Sequence, residues 1–329
     1  MLFYASYKPQ SGGIPQEVGN ITMKALVLEK VNCLRYKDVP APVCCDNGLL
    51  VKIKTSCLCN GSDPVILSGA TWSEFPAIFG HETFAEVIEV GRDVTGYAVG
   101  DWISWWFTMG AFSHYAVVIP GEVAVARLPK DISRLEAPIF ELVIAAFRAV
   151  AVAGVAGKKV LIVGLGPSGL IMAQLCKALG AESVSGWDLY ENRRELGKSF
   201  GCAVYDGLFD IVIDAYGDDL SADGQTENRA IRQLRDYGTL VLYGHPEHGR
   251  TMNSYLLQSK QICIKMPIND IKEIQKLADQ AVLFYSEGKL ELKRLVTDTV
   301  PLDGVIDALE LLRKEPDKHI KIIVLNEEG

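Results

Sequence analysis

The feature that most constrains this chain is a strand-like run that ends in a glycine-rich turn. Val160, Leu161, Ile162 and Val163 are all apolar and three of the four are β-branched, the pattern of a parallel strand buried on both faces. Gly164-Leu165-Gly166-Pro167-Ser168-Gly169 follows at once. Leu170, Ile171, Leu175, Ala178 and Leu179 then recur at helical spacing, up to a stop at Gly180. Three glycines so placed permit a tight bend, close backbone approach to a diphosphate, and close packing of helix on strand. Unpaired N–H groups at the helix start favour negative charge at the same point. The spacing predicts a strand, a phosphate cradle (Gly164, Gly166, Pro167, Ser168, Gly169) and a helix.

A glycine triplet alone is a weak signal, and here its surroundings strengthen it. A second apolar run, Ser183 to Trp187, ends in Asp188, about twenty residues beyond the turn, where a dinucleotide-binding unit places an acid. A carboxylate there accepts hydrogen bonds from both hydroxyls of an adenine ribose and repels a 2′-phosphate, which favours NAD over NADP. The plainer alternative for Asp188 is a strand-end turn residue. Beyond it, Ile211, Leu240 and Ile262 mark further strands, and Asp270 to Ser286 reads as a helix. Alternation of strand and helix argues for a parallel sheet.

The residues before the turn have another texture. Met23–Leu28, Leu49–Thr55, Ala85–Gly91, Tyr115–Ile119 and Val123–Leu128 read as short strands separated by turn residues, a compact β-rich domain. A long helical stretch runs from Ser133 toward Ala153, and the tail offers Leu295–Val300, a helix from Leu302 to Arg313 and a strand from His319 to Leu325. Residues 1–20 lack periodicity and read as a loose extension. A length of 329 residues suits two domains.

Composition removes several functions. A net charge of −8, without runs of like charge, argues against nucleic acid or an anionic membrane as partner. The uncharged apolar stretch Val160–Cys176 is broken by the glycine turn and cannot span a bilayer. No basic segment followed by an apolar core opens the chain, so the cytoplasm is the expected location. Eight cysteines in a chain of this length do not form a disulfide framework. Cys33, Cys176, Cys202 and Cys263 read as buried thiols, and Cys44-Cys45 carries no assigned role.

A second constellation lies in the β-rich half. Cys59 opens the loop Cys59-Asn60-Gly61-Ser62-Asp63, and Gly80-His81-Glu82 follows about twenty residues on. Thiolate, imidazole and carboxylate are the ligand types zinc accepts, and a catalytic zinc uses three protein ligands and leaves one position open. Glu141, within the apolar run Ile139 to Ile144, is a further carboxylate that needs a partner if buried. Each residue also has a structural reading: a core thiol, a hydrogen-bonded imidazole, a surface carboxylate, a helix residue paired with Arg148. Spacing alone leaves both open.

Taken together, these motifs resemble the medium-chain dehydrogenase/reductase superfamily, in its zinc-dependent alcohol and polyol dehydrogenase branch. The resemblance runs from Met23-Lys24-Ala25 through the cysteine loop, Gly80-His81-Glu82, Val90-Gly91, Val99-Gly100-Asp101, the Glu141 helix and the glycine turn to Leu295–Leu302. It implies an α/β fold: a doubly wound parallel Rossmann domain over 144–288, inserted into a β-rich GroES-like catalytic domain over 21–143 and 289–329. It implies Cys59, His81, Glu82 and Glu141 as candidate ligands of one catalytic zinc, Asp63 as the residue that orients a ligand, and Ser62 as the group that takes the alcohol proton. Asp188, Arg193, Gly217 and Gly244 join the cradle in holding NAD. The implied activity is hydride transfer between NAD(H) and a secondary alcohol or ketone, with a polyol, sugar or cyclitol as the expected substrate, in a homodimer or homotetramer.

Departures from the family pattern qualify this. One extra residue separates Cys59 from Asp63, which leaves Cys57 and a shifted Ser62 open as alternatives to the favoured Cys59. Val65 stands where many relatives carry a proton-passing histidine. No cluster of four cysteines follows Asp101, so no structural zinc is expected; Trp102, Trp105, Trp106 and Phe107 occupy that region and read as packing or interface rather than substrate wall. Only Cys202–Phe209 precedes strand Ile211–Asp214, so this half of the nucleotide domain is trimmed. Competing readings are a zinc-free enone or quinone reductase on the same fold and a non-catalytic NAD-binding protein.

Overall fold

A computed structural model describes residues 22–203, 207–216, 226–245 and 250–326. The expected extension over residues 1–20 lies outside them. The chain forms two compact units, Met1–Leu142 with Leu292–Gly329, and Val143–Glu291.

The first unit begins with β1 (Thr22–Lys30), β2 (Cys33–Pro40) and β3 (Leu49–Cys57), then a short α1 (Ser62–Leu67). β4 (Ala77–Ile78), β5 (Glu82–Val90), β6 (Trp102–Trp105), β7 (Tyr115–Val118) and β8 (Val125–Arg127) follow. The helical stretch expected from Ser133 starts later, with a 3-10 turn at Ala137–Ile139 and then α2 (Phe140–Ala153). Pro138 explains the delay, because it has no N–H to donate and belongs at a helix entrance.

The second unit carries β9 (Lys159–Val163), α3 (Pro167–Ala178), β10 (Ser183–Trp187), α4 (Glu191–Ser199) and β11 (Phe209–Asp214). It continues with α5 (Thr226–Gln233), β12 (Leu234–Leu242), α6 (Ser254–Lys260), β13 (Cys263–Lys265) and α7 (Ile271–Ser286). α3 takes in Pro167 and Ser168, with the proline at its first turn, so the predicted turn and helix overlap. β14 (Val296–Pro301), α8 (Val305–Lys314) and β15 (Lys321–Leu325) return to the first unit. A 3-10 turn at Leu302–Gly304 precedes α8, shortening the helix expected from Leu302.

The architecture is mixed α/β. In the second unit all strand pairs among the described residues are parallel, in the order β10-β9-β11-β12-β13. The chain leaves β9 to one side for β10 and resumes on its other side with β11, so the order reverses at the carboxyl end of β9. Open α/β sheets bind ligands at such a switch point. A single parallel bridge, Ser185 to Ala203, extends the sheet beyond β10. In the first unit, β2-β1-β4 form a small antiparallel sheet, and β14-β15-β3-β5-β6-β8 a larger mixed sheet with β7 on β3. Leu49, Val51, Ile53, Ala85, Val87 and Ile103 alternate inward from three of these strands to make one core.

The thiols divide differently from expectation. Cys176 and Cys202 are buried, whereas Cys263 is exposed on edge strand β13 and Cys33 is half-buried. No helix among the described residues is long and apolar enough to cross a membrane.

Candidate metal and cofactor sites

Strand register assembles the first site. β3 and β5 run antiparallel with Cys57 opposite Glu82, so the residues just past the end of β3 meet those just before β5. Cys59 thereby comes beside His81 and Glu82, with one ligand atom from each inside a sphere where every pair lies within 4.8 Å. All three side chains are buried. Among the described residues, no other such group of three or more occurs.

Asp63 braces this group from α1. Its Oδ2 accepts the Cys59 backbone N–H at 2.8 Å, and its Oδ1 lies 3.4 Å from His81 Nδ1. The Ser62 N–H points at Cys59 Sγ, 3.3 Å away. Asp63 Oδ1 and His81 Nδ1 face each other, and Glu82 Oε1 is buried without a hydrogen bond. Native proteins rarely leave a buried carboxylate oxygen such as Glu82 Oε1 without a partner. Sulfur, imidazole and carboxylate aimed at one point fit a zinc ion, with Asp63 behind the imidazole as an orienting carboxylate. Burial works against a charged His81, yet Asp63 and Cys59 outweigh it and hold the imidazole pKa well above its ordinary value.

Lys321 was not anticipated. β15 pairs antiparallel with β3, Ile323 opposite Cys57, and the Leu58 N–H continues the ladder to the Ile322 carbonyl. The same register carries Lys321 opposite residue 59. Its ammonium, buried with a relative side-chain exposure of 1%, forms an ion pair with Glu82 Oε2 and donates to the Leu58 carbonyl at 2.9 Å. Burial disfavours its charge, but Glu82, Cys57 and Cys59 outweigh that and raise its pKa far above that of an ordinary lysine. A lone lysine inside the apolar run His319–Leu325 was the available signal, since a buried ammonium requires a carboxylate.

Cys57 stays outside the ligand group. Burial, reinforced by the neighbouring Glu82, pushes its thiol well up, which keeps it protonated. Glu141 is buried in the first turn of α2 and is likewise not among the three gathered residues. Phe107, in contrast, packs its ring against His81, with centroids 4.9 Å apart. Its backbone holds a left-handed φ of 41°, a strained conformation for a bulky residue.

The second site is built by backbone. Gly164 takes φ 93°, and a Cβ on Gly169 would sit 1.9 Å from the Gly164 carbonyl oxygen. Gly166 caps α3, whose first residues are Pro167 and Ser168. Asp188 is buried, with Oδ2 accepting the Leu165 N–H at 2.7 Å and Oδ1 that of Tyr190 at 2.9 Å. The acid after β10 therefore anchors the glycine turn itself. Arg193 reaches back from α4, its guanidinium over the Tyr190 ring at 4.9 Å and 3.8 Å from Asp188 Oδ2. Gly244 follows β12 and donates to the Asp214 carbonyl. Gly217 lies outside the described residues, and His245, the loop histidine beside Gly244, is exposed.

Sequence comparison adds to this geometry. The model of the alcohol dehydrogenase GroES-like domain matches residues 46–130. L-threonine 3-dehydrogenase of Streptomyces avermitilis is 30% identical over 274 residues, covering 74% of this chain and 76% of that protein. The chain belongs to the zinc-dependent alcohol dehydrogenase branch of the medium-chain dehydrogenase/reductase superfamily. It is a dehydrogenase. Among solved structures, zinc-dependent alcohol dehydrogenase 2 from Streptococcus pneumonia matches with a TM-score of 0.82 at 22% identity, over 93% of this chain and 99% of that one. Galactitol-1-phosphate dehydrogenase from Escherichia coli matches at 0.80 and 21%, over 92% and 100%. At those identities the likeness is one of fold.

Proposed function

We propose that this dehydrogenase oxidises a secondary alcohol, in a polyol, sugar or cyclitol, with NAD and a single zinc ion, or runs the reverse reduction. The observation that carries the reading is the buried Cys59–His81–Glu82 group with Asp63 behind it. When bound, the zinc supplies Lewis acidity at the substrate oxygen and the nicotinamide exchanges hydride with the carbon. Cys59, His81 and Glu82 would hold the ion, with Lys321 engaging one oxygen of the Glu82 carboxylate. Glu141 is the second carboxylate we assign to the ion's surroundings. Asp63 fixes both the Cys59 backbone and the face of the His81 ring, and Ser62, next to Asp63 at the start of α1, accepts the alcohol proton. Phe107 supplies an apolar wall beside His81.

For the cofactor, Gly164–Gly169 cradle the diphosphate at the start of α3. Asp188 and Arg193 meet the adenine ribose, and the Asp188 carboxylate selects NAD over NADP. The named substrate of the Streptomyces relatives, L-threonine acted on at position 3, keeps amino alcohols on the test panel.

The test is reduction of NAD and of NADP against a panel of secondary alcohols, with metal content measured on the same preparation. The expected result is about one zinc per chain, NAD preference and turnover with at least one polyol. Cys59→Ser should lose the metal and at least about a hundredfold in turnover, more than the loss of an orienting partner alone. Full activity or full zinc in that variant overturns the assignment.

A further inference from the structure

A second buried ion pair lies at the carboxyl edge of the parallel sheet, in the unit that holds the glycine turn. Asp214 ends β11, and its carboxylate Oδ2 sits 2.9 Å from a terminal nitrogen of Arg250. The same Arg250 nitrogen donates to the Gly244 carbonyl at 2.6 Å. Asp214 also gathers the adjoining backbone: its carbonyl accepts the N–H groups of Tyr243 and Gly244, each at 3.0 Å, and Oδ1 accepts that of Tyr216 at 3.0 Å. Both charged side chains are nearly inaccessible, at 8% and 2%. Beside this hub, the Tyr243 hydroxyl lies 3.4 Å from Ser168 Oγ, at the second residue of α3 within the glycine turn.

A buried ion pair is a poor device for stability alone, since apolar side chains of similar volume serve as well or better. This one fixes the first residues after β11 and β12, at the switch point where an open α/β sheet takes its ligand. We infer that Tyr243 is a cofactor-contact residue whose hydroxyl, beside that of Ser168, donates to the diphosphate or the adjoining ribose, and that the Asp214–Arg250 pair is the positioning device that holds it there. The inference rests on the proposal that this unit binds a nicotinamide dinucleotide. A phenol at this place adds a directed donor to the backbone N–H groups of the turn, and hydrogen bonds to a charged acceptor are the strong ones.

NADH binding, followed by its fluorescence on the purified enzyme, tests both levels. Wild type should bind; if it binds neither NADH nor NADPH, the cofactor reading fails and the inference with it. Tyr243→Phe should weaken NADH about tenfold, as loss of a charge-assisted hydrogen bond does, and raise KM for NAD alike, with the melting temperature unchanged. Arg250→Met should weaken binding at least as much, with partial recovery in Arg250→Lys. Since Arg250→Met removes the positive charge beside the buried Asp214 carboxylate, the neutral pair Asp214→Asn with Arg250→Gln serves as its folded counterpart and should still bind NADH several-fold more weakly. Wild-type affinity in Tyr243→Phe, or a lower melting temperature with unchanged affinity in the neutral pair, overturns the inference.

Discussion

The two sites are made in opposite ways. The glycine turn is local: six consecutive residues, from the end of one strand into the first turn of one helix, create it, and the property that matters at Gly164 and Gly169 is the absence of a side chain. The Cys59 group is assembled by register across β3, β5 and β15, and what matters there is charge, since a carboxylate, a thiol and an ammonium are enclosed together. A local site fails when backbone geometry is blocked. A register-built site fails when one member of a charge set is removed.

The sharpest way to break this contrast is Lys321→Met. With the ammonium gone, Glu82 stays buried and uncompensated, and metal-free protein should lose about 3–5 kcal/mol in a urea melt. The paired change with Glu82→Gln should recover most of that loss while zinc content falls. If Lys321→Met alone unfolds like wild type, charge does not organise the site. Next comes Gly169→Ala. Its Cβ meets the Gly164 carbonyl, so the turn must open, at about 1–3 kcal/mol in stability and with weaker NADH binding, while zinc content stays unchanged. Loss of zinc in that variant would mean that the two sites do not fail independently.

The smallest effect concerns strain outside either site. Tyr237 in β12 holds a left-handed φ of 61° while 72% exposed, and Gly238 follows it. Tyr237→Gly removes the steric cost of that conformation and should stabilise the protein by about 1 kcal/mol, minus the exposed hydrogen bond from Gln261. Thermal melts read the gain; NADH affinity and zinc content should not move.

This difference in construction also explains what could be read from the sequence. The turn, α3, β10 and Asp188 are contiguous enough for spacing to reveal them, although spacing could not show that Asp188 is bonded to the turn's own Leu165 N–H. Cys59, His81 and Glu82 stood out by residue type, but their meeting depends on β3 facing β5. Lys321, Asp214 and Arg250 escaped notice because a lysine in a C-terminal strand or an arginine in a loop is ordinary until its carboxylate is known. Secondary structure went astray where prolines or short elements govern: Pro138 delays α2, and the six-residue α1 is too brief for periodicity to register. Phe107, grouped with the tryptophans as packing or interface, touches His81, and its positive φ is visible only in three dimensions.

The place of β15 in the large sheet has a consequence for synthesis. Chains emerge from the ribosome amino end first, and domains tend to fold in that order. Cys59, His81 and Glu82 leave the ribosome together, whereas the ammonium that neutralises Glu82 arrives 239 residues later, on a strand that must slot between β14 and β3. Until then the nascent first unit carries an unbalanced buried acid, so its maturation waits for the entire second unit to be translated.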